Sequence, residues 1–145
     1  MTEIGHLGEQ LVAQWLKQQG WVILQQQWRS RWGEIDLIAH SRQTQILAFV
    51  EVKTRSQGNW DEGGQLAVNA TKQRKILLTA NAFLARYPSL ADFPCRFDVA
   101  LVHCQKIRQE TAHEPRLTSI TMGQTLIQQG YQLTLQNYLE SAFEA

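Results

Sequence analysis

Residues 33–55, GEIDLIAHSRQTQILAFVEVKTR, decide the fold. Two apolar runs, Ile35-Leu37-Ile38 and Leu47-Phe49-Val50-Val52, have the β-branched and aromatic character of covered strands. The polar stretch SRQTQ between them predicts a hairpin, with strands over about 34–40 and 46–54. Charges interrupt both runs: Asp36 the first, Glu51 and Lys53 the second. An unpaired charge is costly to bury, so these side chains require partners or a bound ion.

Strand side chains alternate between faces, which places Phe49, Glu51, Lys53 and Arg55 on one face of their strand and Glu34 with Asp36 on a shared face of the preceding one. A tip centred on Gln43 and Thr44 sets Asp36 opposite Glu51 and Glu34 opposite Lys53. A slip of one residue would separate the carboxylates onto opposite faces. Two like charges facing each other need something positive between them. Lys53 is one candidate and a divalent cation the other, since Mg²⁺ is commonly held by one or two carboxylates together with water and phosphate oxygens. An acidic pair with a lysine and a metal would make a phosphodiester-hydrolysing site. An E-x-K pair on a half-exposed hairpin is also a commonplace ion pair, and the residues alone leave both readings open. Glu9 lies at the edge of a helical apolar arc, with small Gly5 and Ala13 near it. It is either a third carboxylate aimed at the strands or a solvated first-turn acid.

Outward from the hairpin, Leu7, Leu11, Val12, Trp15 and Leu16 predict a helix over 6–19, stopped by Gly20. A strand is predicted over 21–28, and short connections make the first three strands an antiparallel meander. The glycines of 56–66 predict a loop, followed by a helix over 67–87 ended by Pro88. CRFDVALVHC, 95–104, reads as a covered strand, then a polar excursion (105–116) and a strand (117–122). The tail YQLTLQNYLESAFEA is ambiguous between strand and helix. The order is that of an α/β sheet with helices packed on it.

The 145 residues carry a net charge of +1, with 43% hydrophobic and 19% charged side chains, the profile of one ordinary globular domain. Nucleic acid would therefore have to be held by a local basic patch rather than by bulk charge. No apolar run reaches the ~20 residues of a membrane span, and MTEIGHLGEQ is no secretory leader, so the cytoplasm is the expected compartment. Cys95 and Cys104 form no CxxC, and the four histidines form no metal motif. WRSRWGE interleaves Trp28 and Trp32 with Arg29 and Arg31, a composition suited to phosphate contact and base stacking, or else to two core rings on a solvated turn. Arg55, Lys72, Arg74 and Lys75 would extend a basic rim.

GEIDLIA, FVEVKTR, the GEQLVAQWL helix with GW behind it, KQRK and RFDV together resemble the YraN-like family of bacterial proteins, over about residues 4–102. That family is similar to the PD-(D/E)XK nuclease superfamily and to archaeal Holliday junction resolvases. The resemblance implies a restriction-endonuclease-like fold, a central mixed β-sheet flanked by helices with an α-β-β-β-α-β core at about 4–104, in a single domain extended by 105–145. It implies a Mg²⁺- or Mn²⁺-dependent endonuclease acting on DNA, with Asp36, Glu51 and Glu9 at the metal and Lys53 as the motif lysine. Lys72 matches a basic position suited to phosphate contact. A non-catalytic nucleic-acid-binding module of the same fold is the alternative. Symmetric junction cutting would require a two-fold homodimer.

Overall fold

Thr2 sets where the chain turns helical: its Oγ1 accepts a hydrogen bond from Gly5 N at 3.1 Å, so helix α1 spans Glu3–Gln18 and begins a turn earlier than its apolar stripe predicts. Gly20, at φ +90°, reverses the chain into the sheet. The structure, a computed structural model, describes residues 2–56, 68–107 and 119–144. Three strands follow α1: β1 (Trp21–Ser30), β2 (Gly33–Ser41) and β3 (Leu47–Arg55). They form the expected antiparallel meander. The β2–β3 register is the one expected from a tip at Gln43 and Thr44, with Leu37 opposite Val50 and His40 opposite Leu47.

Helix α2 (Ala70–Arg86) is capped by Asn69, whose Oδ1 accepts from Lys72 N at 2.9 Å, and it ends at Tyr87 before Pro88. It carries the chain back so that β4 (Cys95–Lys106) lies parallel to β3. The predicted loop over 56–66 lies, after Ser56, outside the described residues. So do most of the polar excursion and the first part of the strand predicted over 117–122. Its described part, Ser119–Met122, is not a strand; the next strands are β5 (Thr125–Gln128) and β6 (Tyr131–Phe143). The ambiguous tail is thus a strand, and the mixed sheet has the order β1-β2-β3-β4-β6-β5.

Helices cover the two faces. Leu7, Leu11 and Leu16 of α1 pack on Leu37, Val50 and Val102, while Ile76 and Phe83 of α2 pack on Ile38, Phe49 and Leu101. Each face thus buries enough apolar surface to dock its helix. Among the described residues no helix is long and apolar enough to cross a membrane.

The strand alternation slips once near the middle of β2. Ile35 and Ile38, three apart, both belong to the α2-side core, while Leu37 faces α1. A second irregularity lies at the far end of the sheet, where the β4–β6 register shifts between Phe97 and Val99. There the fully buried Asp98 takes the place of strand pairing: its Oδ1 accepts from Ser141 N at 3.0 Å and its Oδ2 from Tyr138 Oη at 2.6 Å. Arg96 forks onto both its oxygens at 2.9–3.1 Å, so the buried charge is fully partnered.

Candidate functional site

The slip in β2 centres on Asp36, and the pairing with β3 stops beside it. Toward β1 the register continues unshifted from Gln26–Leu37 to Trp28–Ile35, which sets Asp36 level with Gln27; toward β3 it ends at Leu37–Val50. The next backbone donor of β3 goes to the side chain instead: Val52 N donates to Asp36 Oδ2 at 2.8 Å. Asp36 is therefore held at a gap in the sheet beside Glu51, rather than directly opposed to it in a closed ladder.

Glu51 is only 6% exposed. Its Oε1 lies 3.7 Å from Lys53 Nζ and 3.5 Å from Lys72 Nζ, one lysine from its own strand and one from the first turn of α2. Its Oε2 is buried with no hydrogen-bond partner. A buried carboxylate oxygen in that state costs free energy unless something binds it. Glu34 pairs with Arg29 across β1 and β2, with Arg29 Nε 3.0 Å from Glu34 Oε2.

Glu9 points from α1 into the same place and is itself buried. A small residue not singled out by the helical wheel, Gly8, permits this: a Cβ at Gly8 would collide with the Oγ1 of Thr54 on β3. The helix backbone thus lies against the strand, and the adjacent Glu9 has nowhere to reach water freely. Gln27 donates its Nε2 to Glu9 Oε2 at 3.3 Å, and it does so from a left-handed backbone at φ 51°. A non-glycine residue is rarely found there, so β1 is strained locally where it aims this side chain inward. Gln27 and Gly8 are the site residues that sequence reasoning misses. A positive φ leaves no mark in a run of glutamines, and nothing distinguishes Gly8 from Gly5 before the helix is docked.

Crowding among the acids shows in their protonation. Burial, followed by Asp36, Glu34 and Glu51, pushes the Glu9 carboxyl up to about 8. Burial and then Asp36 push Glu51 up to about 7, against the pull of Lys72 and Lys53. Asp36 is raised by burial, although the Val52 hydrogen bond opposes the shift. Three carboxyls that all resist ionisation mark a place short of positive charge. They line a cleft of about 360 Å³ with Arg29, Glu34, Val52, Thr54 and Lys72. A larger cavity of about 680 Å³, between Val68 on α2's approach and the end of β6, has Glu140 as the one charged side chain among the described residues that line it, beside apolar neighbours such as Val99, Leu139 and Phe143.

Among the described residues no three His, Cys, Asp or Glu side chains close into a ready-made metal cage. The donor set suits a hard cation all the same: Mg²⁺ takes one or two carboxylates and keeps several waters, and the unpartnered Glu51 Oε2 is an oxygen available to it. Of the basic residues singled out from the sequence, Arg29 and Lys72 line the cleft; Arg55 ends β3, and Lys75 is exposed one helical turn beyond Lys72, its Cβ near Gly33. Arg31 sits over the Trp32 ring at 4.3 Å.

The family model described as "Uncharacterised protein family UPF0102" matches residues 8–102, which include all of Glu9, Asp36, Glu51 and Lys53. The chain is 57% identical to a UPF0102 protein of Synechocystis sp., over 99% of each chain. It is 51% identical to one of Trichormus variabilis, covering 97% of this chain and 94% of that protein. With a UPF0102 protein of Trichodesmium erythraeum it shares 45% identity over 97% of this chain and 88% of the relative.

Proposed function

The chain belongs to the UPF0102 family, and we propose that it is a metal-dependent endonuclease that hydrolyses DNA phosphodiester bonds, directed by DNA structure (junctions, branches or single strands) rather than by sequence. The observation that carries this reading is the buried Glu51 carboxylate, one oxygen held by two lysines and the other unpartnered, beside Asp36 at a gap in the sheet. In this reading the chain is a single PD-(D/E)XK nuclease-like domain with a restriction-endonuclease-like core at about 4–104, extended by 105–145. The α-β-β-β-α-β order and the mixed sheet support that assignment.

Asp36 and Glu51 would hold Mg²⁺ or Mn²⁺, with Glu9 joining directly or through water. Such a cation supplies Lewis acidity toward the scissile phosphate when bound. The chain's own groups do the rest. Lys53, two residues beyond Glu51 in the same strand, orients the attacking water and favours its deprotonation. Lys72, at the N-terminal turn of α2, exchanges its contact with Glu51 for a non-bridging phosphate oxygen, where an ammonium group offsets developing negative charge. Arg29 and Lys75 would contact flanking phosphates of the same strand, and Arg31 and Arg55 would extend the basic rim.

Cleavage of branched, single-stranded and duplex DNA with Mg²⁺ or Mn²⁺ tests the proposal. Asp36→Ala and Lys53→Ala should each abolish the activity, and residual activity equal to the native chain would sink the roles. A second reading, a non-catalytic nucleic-acid-binding module, draws on the same Glu51: two lysines already neutralise one of its oxygens. It predicts salt-sensitive DNA binding without cleavage under any metal, and carboxylate variants that bind DNA at least as well.

A further inference from the structure

The two tryptophans that flank Arg29 and Arg31 have different fates. Trp28 packs edge-on against Phe83 at 5.3 Å in the α2-side core. Trp32 is 41% exposed and, with Arg31, makes up the whole connection between β1 and β2. An indole gains most from burial, yet this one is displayed at a turn.

The turn is moored. Trp32 N donates to Ser30 Oγ at 3.1 Å, Ser30 Oγ donates to Thr79 Oγ1 at 3.4 Å, and Thr79 Oγ1 donates to the Lys75 carbonyl at 2.7 Å. Thr79 is fully buried, and Gly33 lies close enough to α2 that a Cβ would stand 3.6 Å from Thr79 Oγ1. The hairpin tip is thus tied to α2 through a chain of hydroxyls. The Arg31 guanidinium, 4.3 Å from the ring centroid, steadies the indole further. The same hairpin leads directly to the cleft: Arg29 and Glu34, paired across its two strands, both line it.

We propose that Arg31 and Trp32 form a stacking platform for an unpaired nucleobase of the substrate strand, with the Arg31 guanidinium on its flanking phosphate. The proposal rests on the endonuclease reading and narrows its substrate to DNA that offers an unstacked base near the cut. A base inside a duplex has both faces covered by its neighbours, whereas an unpaired base presents a π-face whatever its identity. Four residues of extended strand separate Trp32 from Asp36, about 13 Å. That distance keeps the platform within a few nucleotides of the scissile phosphate.

The test measures binding of fluorescein-labelled oligothymidylate and of a long duplex in chelator, for the native chain, Trp32→Ala and Trp32→Phe. Trp32→Ala should weaken oligothymidylate binding at least about fivefold, the lower end of one stacked base, and leave duplex binding unchanged; Trp32→Phe should keep most of the affinity. An abasic residue moved along the oligonucleotide should reproduce that loss at one position in the native chain and at none in Trp32→Ala. Undiminished oligothymidylate binding by Trp32→Ala, or equal losses on both probes, overturns the platform while leaving the endonuclease reading standing. A native chain that binds neither probe, in chelator or with Ca²⁺ supplied to the carboxylates, overturns both.

Discussion

Removing the charge of Glu9 should stabilise the protein in alkaline solution and do little in acid. Glu9 keeps its proton up to about pH 8 in the folded chain, against a usual value of 4.5. A carboxyl whose folded value is raised contributes stability that is fully present below the unfolded value and is lost as pH rises through the folded one. The window for Glu9 therefore runs from about pH 4.5 to about pH 8. At about 1.36 kcal/mol per pH unit, the ceiling is about 5 kcal/mol. Asp36 and Glu51 share the repulsion and relieve part of it by taking up protons themselves, so about half that ceiling, roughly 2–3 kcal/mol, is the expected effect. Glu9→Gln keeps an oxygen to accept from Gln27 while abolishing the charge. Urea denaturation of both chains near pH 5 and near pH 9 is the measurement. Native stability should fall between the two pH values by about 2–3 kcal/mol more than that of Glu9→Gln. Parallel pH dependences for the two chains would refute the picture of a buried, mutually repelling acid cluster.

Gly8→Ala should destabilise by about 1–2 kcal/mol, because overpacking against Thr54 at about 1–3 kcal/mol outweighs a gain in helix propensity of at most about 1 kcal/mol. Adding Thr54→Ala should recover most of the loss in the same denaturation assay. Asp98→Asn breaks the fork from Arg96 inside the core and should cost about 3–5 kcal/mol, read as a fall in melting temperature. Trp28→Ala empties core space beside Phe83 and should cost about 3–5 kcal/mol, whereas Trp32→Ala should stay within about 0.5 kcal/mol of the native chain.

The hairpin register was legible because two constraints agreed. The polar tip at Gln43 and Thr44 and the apolar alternation both specify Leu37 opposite Val50, and that pairing is observed. The opening toward β3 at Asp36 was not legible, since it depends on a side chain replacing a backbone partner. The tail stayed ambiguous for a related reason. Tyr131, Leu133 and Leu135 are buried at the spacing of a strand, but the next buried residue is Tyr138, because the β4–β6 register shifts between Leu101 and Val102. A step of three imitates a helix. Glu9 could be placed on the correct edge of α1 from its wheel, while its depth required knowing that Gly8 touches Thr54. Of the basic residues, Lys72 was marked by resemblance, and its contact with Glu51 follows from the Asn69 cap that fixes where α2 begins.

The family match ends at residue 102, within β4, yet β4 pairs along most of its length with β6. Without residues 125–143 this strand, with seven buried residues from Phe97 to Cys104, would be the sheet's outer margin, long and apolar and with its backbone groups unpaired. Such a margin recruits other chains. The C-terminal strands therefore act as a seal against self-association, and a chain cut after Lys106 is expected to collect in insoluble material even though Glu9, Asp36, Glu51 and Lys53 all lie before the cut.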